Sequence, residues 1–393
     1  MGKSALHTIA SQAQLYKSWK KINSRAVRSK REVSGVDEIS VEKFSSNVDA
    51  NIYAIRQDLL NRRYKFCELL AFTIPKDNGG FRIINIPTVR DRIVQGAVLD
   101  FLSEKPIFKS SSNYGFLRGK TVKQAVSKFA DLRFHYPYVV KVDLQSFFDT
   151  IPRNELIGRV NKKLKFRSVV SLIHDVIDCE SAFRTEGDLK KAYKKGLKKG
   201  VGIRQGMPLS PFLANLYLDE FDVFVQKKGY KIIRYADDFV VLCSSMGDAD
   251  RAVNEVVNCL KEIGLSISTE KSDIFNPDQS VEFLGIDCVK YESHGYRLEL
   301  SNRKLRKLVS NILDFRNIDF CLKNNVKLFS LEKRLDLMIS GYCQAYDLCA
   351  NSQSIKDKLV ANKNRTINDI LKEGLGVKVD DLNKKQHEFL GLK

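Results

Sequence analysis

The chain has 393 residues, of which 43% are hydrophobic and 29% are charged, and its net charge at pH 7 is +19. These values are typical of a globular protein of two to three domains, exclude collagen-like and disordered chains, and favour a polyanionic partner, with nucleic acid ahead of an anionic membrane. There is no run of 18 apolar residues, no signal-peptide pattern at the first residues and no Cys-x-x-Cys pair among eight cysteines, so we expect a cytoplasmic protein without membrane contact.

The first 136 residues combine a basic helix with a hairpin. Seven bases lie between positions 17 and 31 at helical spacing, and the first five share one helical face. An Asn-Gly turn at 78–79 joins two apolar runs and predicts a hairpin with a basic tip. The periodicity predicts helices over 51–64, 89–102 and 121–134, and strands over 69–74 and 81–86.

From residue 138 onward, strands and helices alternate in an order that predicts a sheet. Strands are predicted over 138–142, 232–236, 239–243 and at 265 and 281, with helices over 153–164, 169–177, 209–225 and 249–263. This order, β-α-β-β-α-β, is that of a split βαβ sheet of the ferredoxin-like kind. Helices alone are predicted after residue 302, over 303–315, 331–346 and 354–373.

Three aspartates fall at strand ends of this predicted sheet. Asp143 follows the first strand, while Asp237 and Asp238 lie in the turn between the two middle strands. If those strands are neighbours, the carboxylates converge at one edge, where Mg²⁺ could be held by carboxylates and substrate phosphates. Two such ions would stabilise the attacking and leaving oxygens of a phosphoryl displacement. The arrangement of the three aspartates therefore predicts a nucleotidyl transferase. Aspartates are also common in turns for structural reasons, so each of these residues, taken alone, could have a purely structural role.

The residues around these aspartates resemble a known family. Tyr235-Ala236-Asp237-Asp238 resembles the Y-x-D-D box of reverse transcriptases, and residues 141–151 resemble the first aspartate motif of bacterial reverse transcriptases, especially those of group II introns. Residues 202–211 resemble their Q-G-x-P-L-S-P segment. Further matches to the family's motifs lie at 35–37, 74–76, 82, 86–87, 91–95, 283–285 and 341–346.

This resemblance implies an α+β right-hand polymerase fold. It assigns an N-terminal extension and fingers to residues 1–136, a ferredoxin-like split βαβ palm to 137–300 with a helical, Lys-rich insertion at about 153–200, and a helical thumb and C-terminal end to 301–393.

The resemblance also implies roles for individual residues. Asp143, Asp237 and Asp238 would hold two Mg²⁺ ions, and Lys271 would be a general acid for the leaving pyrophosphate. Several of the implied site residues also have a structural alternative. Lys76, Arg82 and Lys271 could be ordinary surface charges, and Phe148 could be a core aromatic. Gly206 could be required only for its backbone conformation. The implied dNTP-binding residues are Lys76, Arg82, Phe148, Gln205 and Gly206, with Phe148 excluding a 2′-hydroxyl, and the implied template and primer contacts are Tyr235, Phe283, Leu284 and Gly285.

The expected function is RNA-directed DNA polymerisation, in which dNTPs extend a 3′-hydroxyl on an RNA template to give a DNA product. The segment after the thumb carries no endonuclease or zinc-finger pattern, which favours bacterial antiphage defence with a cognate structured noncoding RNA over a group II intron role. Arg204 stands where the group II pattern commonly has Pro, and Met207 stands where it commonly has Gly. A group II intron-type maturase or RNA-binding scaffold, and an RNA-dependent RNA polymerase, remain as alternatives; template, priming mode and oligomeric state are left open.

Overall fold

The computed structural model of the protein describes residues 4–29, 34–75, 80–267, 273–291, 295–378 and 381–389. Helices and strands are numbered in chain order within these residues. The helices are α1 Ala5–Ile9, α2 Gln12–Ser29, α3 Val41–Ser45, α4 Val48–Leu60, α5 Val89–Ser103, α6 Val122–His135, α7 Phe147–Thr150, α8 Arg153–Lys163, α9 Arg167–Ile177, α10 Glu186–Lys194, α11 Ser210–Lys227, α12 Met246–Glu262, α13 Asn302–Leu313, α14 Ile318–Lys323, α15 Leu328–Ala345, α16 Ser352–Asp369 and α17 Lys384–Phe389. The strands are β1 Leu69–Pro75, β2 Phe81–Ile86, β3 Tyr138–Asp143, β4 Ser181–Phe183, β5 Lys231–Tyr235, β6 Asp238–Cys243, β7 Asp273–Phe275, β8 Val281–Phe283, β9 Ile286–Tyr291 and β10 Gly295–Glu299.

The four-stranded sheet has the order β5-β6-β3-β7. This is the arrangement of a split βαβ sheet, in which the first strand lies beside the second strand of the central hairpin. As a result, β3 and β6, which carry the first and the last of the three aspartates, are hydrogen-bonded neighbours. The predicted order of elements is confirmed in this respect.

At the end of this sheet, the strand predicted at Leu265 was wrong, while the strand predicted at Val281 is observed but belongs to another sheet. Leu265 is not in a strand, because its N–H donates to the Leu260 carbonyl and the Gly264 N–H donates to Lys261, which together cap α12. Gly264 adopts the left-handed conformation (φ +74°) that this cap requires. The edge strand begins later, at Asp273 in β7, and the strand predicted at Val281 is β8 of a separate three-stranded sheet of order β10-β9-β8.

A third sheet, of order β2-β1-β4, joins the predicted hairpin to the Lys-rich insertion. β1 and β2 pair antiparallel, with Ile74 opposite Arg82, while β4 pairs parallel to β1. The short strand β4 was not predicted, since three residues are too few to show a periodic pattern. Behind the sheet, α10 of the insertion contributes Ala192 to a buried cluster with Ala71 and Ile83.

The chain divides into two compact units. Unit 1 comprises Met1–Lys120, Val140–Val241 and Asp250–Asp273, and unit 2 comprises Thr121–Val139, Leu242–Ala249 and Ile274–Lys393. In unit 1, α11 is buried on almost all sides and forms the centre of the core. In unit 2, α13 and α15 each pack against α16. No helix among the described residues is both long and apolar enough to cross a bilayer.

Candidate active site

The hairpin of β5 and β6 places Asp237 in a two-residue turn. β5 ends at Tyr235 and β6 begins at Asp238, so Ala236 and Asp237 make the connection. Ala236 has φ +60°, the left-handed conformation that two-residue hairpin turns adopt because it matches the twist of the strands. An alanine pays a steric cost in this conformation, of about 1–2 kcal/mol. The turn is therefore a strained feature of the backbone beside the candidate carboxylates.

Asp143 and Asp237 lie near enough to interact electrostatically. Burial is the largest influence on the pKa of the Asp237 carboxyl and raises it above its ordinary value, and the neighbouring charge of Asp143 raises it further. The positive charges of Arg82 and Arg234 act in the opposite direction on the same pKa. Asp143, Asp237 and Asp238 are all half-buried. The structure thus brings at least two of the three predicted carboxylates, and the predicted triphosphate ligand Arg82, to one region of unit 1.

The donor set suits a divalent cation that completes its shell with substrate. Among the described residues, there is no cluster of three or more His, Cys, Asp or Glu side chains arranged as a metal site. Mg²⁺, however, is usually held by only one or two carboxylates together with phosphate oxygens and water. Asp143 and Asp237, whose charges interact, are the carboxylates that could serve as these ligands.

The loop that carries Gln205 and Gly206 is attached to strand β2. The backbone N–H of Asn85 donates to the Gln205 carbonyl at 2.8 Å, and the Asn85 side-chain amide donates to the same oxygen at 3.1 Å. Gly206 has φ +114°, and a Cβ at this position would lie 2.1 Å from the Asn85 carbonyl oxygen. Only glycine fits here, so the backbone requirement considered for Gly206 is real, and Gln205 is held at a fixed place beside β2.

Phe148 lies in α7, which follows Asp143 after a short turn. Its neighbour Phe147 is buried, whereas Phe148 is half-buried, and the two rings meet edge to face with centroids 5.4 Å apart. The Phe148 carbonyl accepts a hydrogen bond from Ile203 at 2.8 Å. This backbone hydrogen bond therefore joins the start of α7 to the loop before Gln205.

The remaining predicted site residues are placed as follows. Tyr235 ends β5, and its ring lies 5.8 Å from that of the exposed Phe116. In unit 2, Phe283 is fully buried against Phe129, while Leu284 and Gly285 form the turn between β8 and β9 with φ values of +55° and +81°. Lys76 and Lys271 lie outside the described residues, as do Lys30 and Arg31 of the basic stretch.

Sequence reasoning missed Asn85, which is the residue that fixes the Gln205 loop. It is 2% exposed and lies between the apolar residues Ile84 and Ile86 of strand β2. A buried amide must find hydrogen-bond partners, so a polar residue at a buried strand position is the signal that could have identified it. Its Oδ1 in turn accepts from Ser181 Oγ at 2.6 Å, which connects the loop to β4.

The mixed α/β fold agrees with the right-hand polymerase fold that the resemblance implied. Residues 74–288 match the family described as "Reverse transcriptase (RNA-dependent DNA polymerase)". This match covers more than half of the chain, and the chain belongs to the reverse transcriptase family. The reverse transcriptase family and the α+β fold class, both predicted from the sequence, are confirmed by it.

Individual relatives are similar over part of their length. The "Putative COX1/OXI3 intron 2 protein" of Saccharomyces cerevisiae is 25% identical over 307 residues, covering 62% of this chain and 35% of that protein. "Protein YkfC" of Escherichia coli is 25% identical over 304 residues, covering 66% of this chain and 76% of that protein. The "Retron Mx65 reverse transcriptase" of Myxococcus xanthus is 25% identical over 244 residues, covering 59% of this chain and 54% of the relative. The aligned region thus spans only about a third of the yeast intron protein.

Proposed function

We propose that the chain extends a primer 3′-hydroxyl with dNTPs on an RNA template. The observation that carries the proposal is that Asp143, at the end of β3, and Asp238, at the start of β6, lie on hydrogen-bonded neighbouring strands, with Asp237 in the adjoining turn. The positive charge of Arg82 acts on Asp237 in the same unit. Two carboxylates and a guanidinium provide opposite charges for the metal ions and for the triphosphate that a nucleotidyl transfer must bring together. The net charge of +19 supports an RNA template as the partner.

In the proposed mechanism, Asp143, Asp237 and Asp238 would hold two Mg²⁺ ions. These ions, when bound, lower the pKa of the 3′-hydroxyl and stabilise charge on the leaving pyrophosphate. Arg82 orients the triphosphate through its planar donors, since a guanidinium binds phosphate oxygens in pairs. The Gln205–Gly206 loop, fixed by Asn85, supports the incoming base, and Phe148 packs under the sugar and excludes a 2′-hydroxyl. Lys76 and Lys271 are assigned to the triphosphate and to the leaving group.

Primer extension on a primed RNA template tests this function. Wild-type protein is expected to incorporate labelled dNTPs, and Asp237→Asn and Asp143→Asn are each expected to reduce incorporation to background. Asp250→Asn removes an exposed carboxylate from α12 and is the matched control, expected to keep wild-type activity. Equal incorporation by wild type and Asp237→Asn would refute the assignment. Replacement of dNTPs by rNTPs distinguishes an RNA-dependent RNA polymerase.

We extend the proposal to the setting of the enzyme, in which a cognate structured noncoding RNA is the template and the role is bacterial antiphage defence. The similarity to the retron reverse transcriptase of Myxococcus xanthus supports a bacterial setting. Sequencing of the nucleic acid that copurifies with the protein would identify the template. A phage challenge of cells that express wild type or Asp237→Asn would test defence, which predicts fewer plaques on the wild-type strain alone.

The similarity to an intron protein favours a second candidate, an RNA-binding maturase or scaffold. The two functions differ in their need for the carboxylates. A scaffold would bind its RNA and assist splicing equally well as wild type and as Asp237→Asn, whereas a polymerase would lose activity.

A further inference from the structure

Arg234 and Asp222 form an ion pair that is completely removed from solvent. Both side chains are 0% exposed. Arg234 Nε donates to Asp222 Oδ1 at 2.8 Å, and Nη2 donates to Asp222 Oδ2 at 2.6 Å, so the pair is bidentate. Asp222 lies on the central helix α11, and Arg234 lies on β5, three residues before Asp237. Their position connects the core of unit 1 to the hairpin that carries the candidate carboxylates.

The third nitrogen of the guanidinium reaches the turn itself. Arg234 Nη1 donates to the Ala236 carbonyl at 2.9 Å and to Asn215 Oδ1 at 2.9 Å. The Asn215 amide donates to the Gly115 carbonyl at 2.7 Å. Gly115 lies against the other side of the turn, where a Cβ would be 2.4 Å from the Ala236 nitrogen. The strained residue Ala236 is therefore held by a hydrogen bond from one side and by backbone contact from another.

Stability alone does not explain this choice of residues. A buried ion pair is often no more stabilising than two well-packed hydrophobic residues, because desolvation offsets the attraction. A hydrophobic pair, however, could not donate to the Ala236 carbonyl or to Asn215. Arg234 does both while its other nitrogens stay on Asp222. The ion pair therefore differs from a hydrophobic replacement in that it fixes the geometry of the turn.

We infer that Arg234 and Asp222 are positioning residues, which fix the Ala236–Asp237 turn so that the Asp237 carboxylate is held in its reactive place. This inference depends on the proposed function, in which Asp237 touches the reacting groups. Displacement of a reacting group by about 1 Å can cost a factor of about 100 in rate. Loss of the network is therefore expected to reduce kcat more than the KM for dNTP or the affinity for the primed template.

The matched control is a second buried ion pair on the same helix. Asp219 precedes Asp222 by three residues on α11, its side chain is 2% exposed, and it pairs with Lys163. Its carboxylate also accepts hydrogen bonds from the backbone N–H groups of Lys109 and Ser110. None of these hydrogen bonds involves the Ala236–Asp237 turn. Asp219→Asn is expected to lower the melting temperature while kcat stays within about twofold of wild type.

The decisive variant is the double replacement Arg234→Met and Asp222→Leu. It removes both buried charges, so the melting temperature is expected to stay near that of wild type. The Ala236 carbonyl still loses its donor, so kcat is expected to fall by about 10- to 100-fold with KM for dNTP nearly unchanged. A folded double variant with wild-type kcat would overturn the inference.

A second variant decides the matter if the double variant is insoluble. Arg234→Lys keeps a positive charge opposite Asp222, but a single ammonium cannot reach both Asp222 and the turn as the planar guanidinium does. It is expected to fold and to lose kcat, and wild-type kcat would again overturn the inference. Activity of wild type and inactivity of Asp237→Asn are measured first, so failure of the proposed function is recognised separately from failure of this one.

Discussion

Replacement of Glu180 by Gln is expected to destabilise unit 1 and to weaken dNTP binding. Glu180 directly precedes β4 in the insertion, and its carboxylate accepts hydrogen bonds from Arg153 Nη1 at 2.8 Å, from Arg204 and from the Gly200 N–H at 2.8 Å. Arg204 is the residue before Gln205. One carboxylate thus connects the insertion to the loop assigned to the incoming nucleotide.

The loss of stability in Glu180→Gln depends on which hydrogen-bond acceptors Arg153 and Arg204 retain. Their side chains are only 6% and 2% exposed, and removal of one partner of a buried ion pair typically costs about 3–5 kcal/mol. Arg153 would keep the Gly202 carbonyl at 2.9 Å, and Arg204 would keep the Val201 carbonyl at 3.0 Å. These acceptors partly satisfy the guanidinium groups, so we expect the lower end, about 3 kcal/mol.

The pH dependence of stability has a defined sign. Burial by itself would raise the pKa of the Glu180 carboxyl, but hydrogen bonds from Arg204 and Gly200, with the charges of Arg204 and Arg153, hold this pKa below its ordinary value of 4.5. A carboxyl with a depressed pKa in the folded state contributes stability that is fully present above the unfolded-state pKa. This contribution is lost as the pH falls below 4.5 and through the folded-state pKa. Glu180→Gln is expected to lack this part of the acid sensitivity.

Urea denaturation between pH 7 and pH 3, together with steady-state dNTP incorporation, measures both effects. Glu186→Gln is the control, since it removes an exposed carboxylate of the same insertion that pairs with Lys190 at the surface. Glu180→Gln should raise the KM for dNTP, whereas Glu186→Gln should change neither stability nor KM. The reasoning is refuted if Glu180→Gln unfolds at the wild-type urea concentration at pH 7.

Three further substitutions probe the site. Gly206→Ala places a Cβ 2.1 Å from the Asn85 carbonyl oxygen at φ +114°, so it should cost about 1–3 kcal/mol in urea denaturation and raise the KM for dNTP; wild-type KM would contradict this. Ala236→Gly relieves the left-handed alanine at φ +60° and should raise stability by up to about 1 kcal/mol, whereas a clear loss would show that the alanine is unstrained. Phe148→Ala should increase incorporation of rNTPs relative to dNTPs by about 10-fold or more, and an unchanged ratio would remove Phe148 from sugar selection.

Much of the fold could be predicted because it depends on local patterns. The helix predicted over 121–134 is observed as α6, Val122–His135, where Thr121 and Gln124 form a capping box. The order of strands and helices after residue 138 was enough to predict that β3 and β6 are neighbours. The failure at Leu265 has a local cause as well, since the apolar residue after Gly264 closes a helix instead of opening a strand.

The contacts that hold the site could not be predicted in the same way. Arg234 and Asp222 are 12 positions apart, and Arg204 and Glu180 are 24 apart. Periodicity marks an apolar face but does not show which charged residues of a basic chain are buried or which partners they find. The sequence marks Arg204 only through its departure from the usual Pro of the family pattern. Its burial and its bond to Glu180 give that departure a physical reason.

Two arginines therefore support the two halves of the candidate site by similar means. Arg204 binds Glu180 and the carbonyls of Val201 and Lys198, directly before the Gln205 loop. Arg234 binds Asp222 and the Ala236 carbonyl, directly before Asp237. A guanidinium suits both places because its donors lie in one rigid plane, so it can neutralise a carboxylate and hold a backbone carbonyl at the same time. A lysine can supply only one of these two interactions, and a hydrophobic residue supplies neither. Variants that preserve stability but lose the carbonyl contact should therefore reveal the positioning role at either arginine.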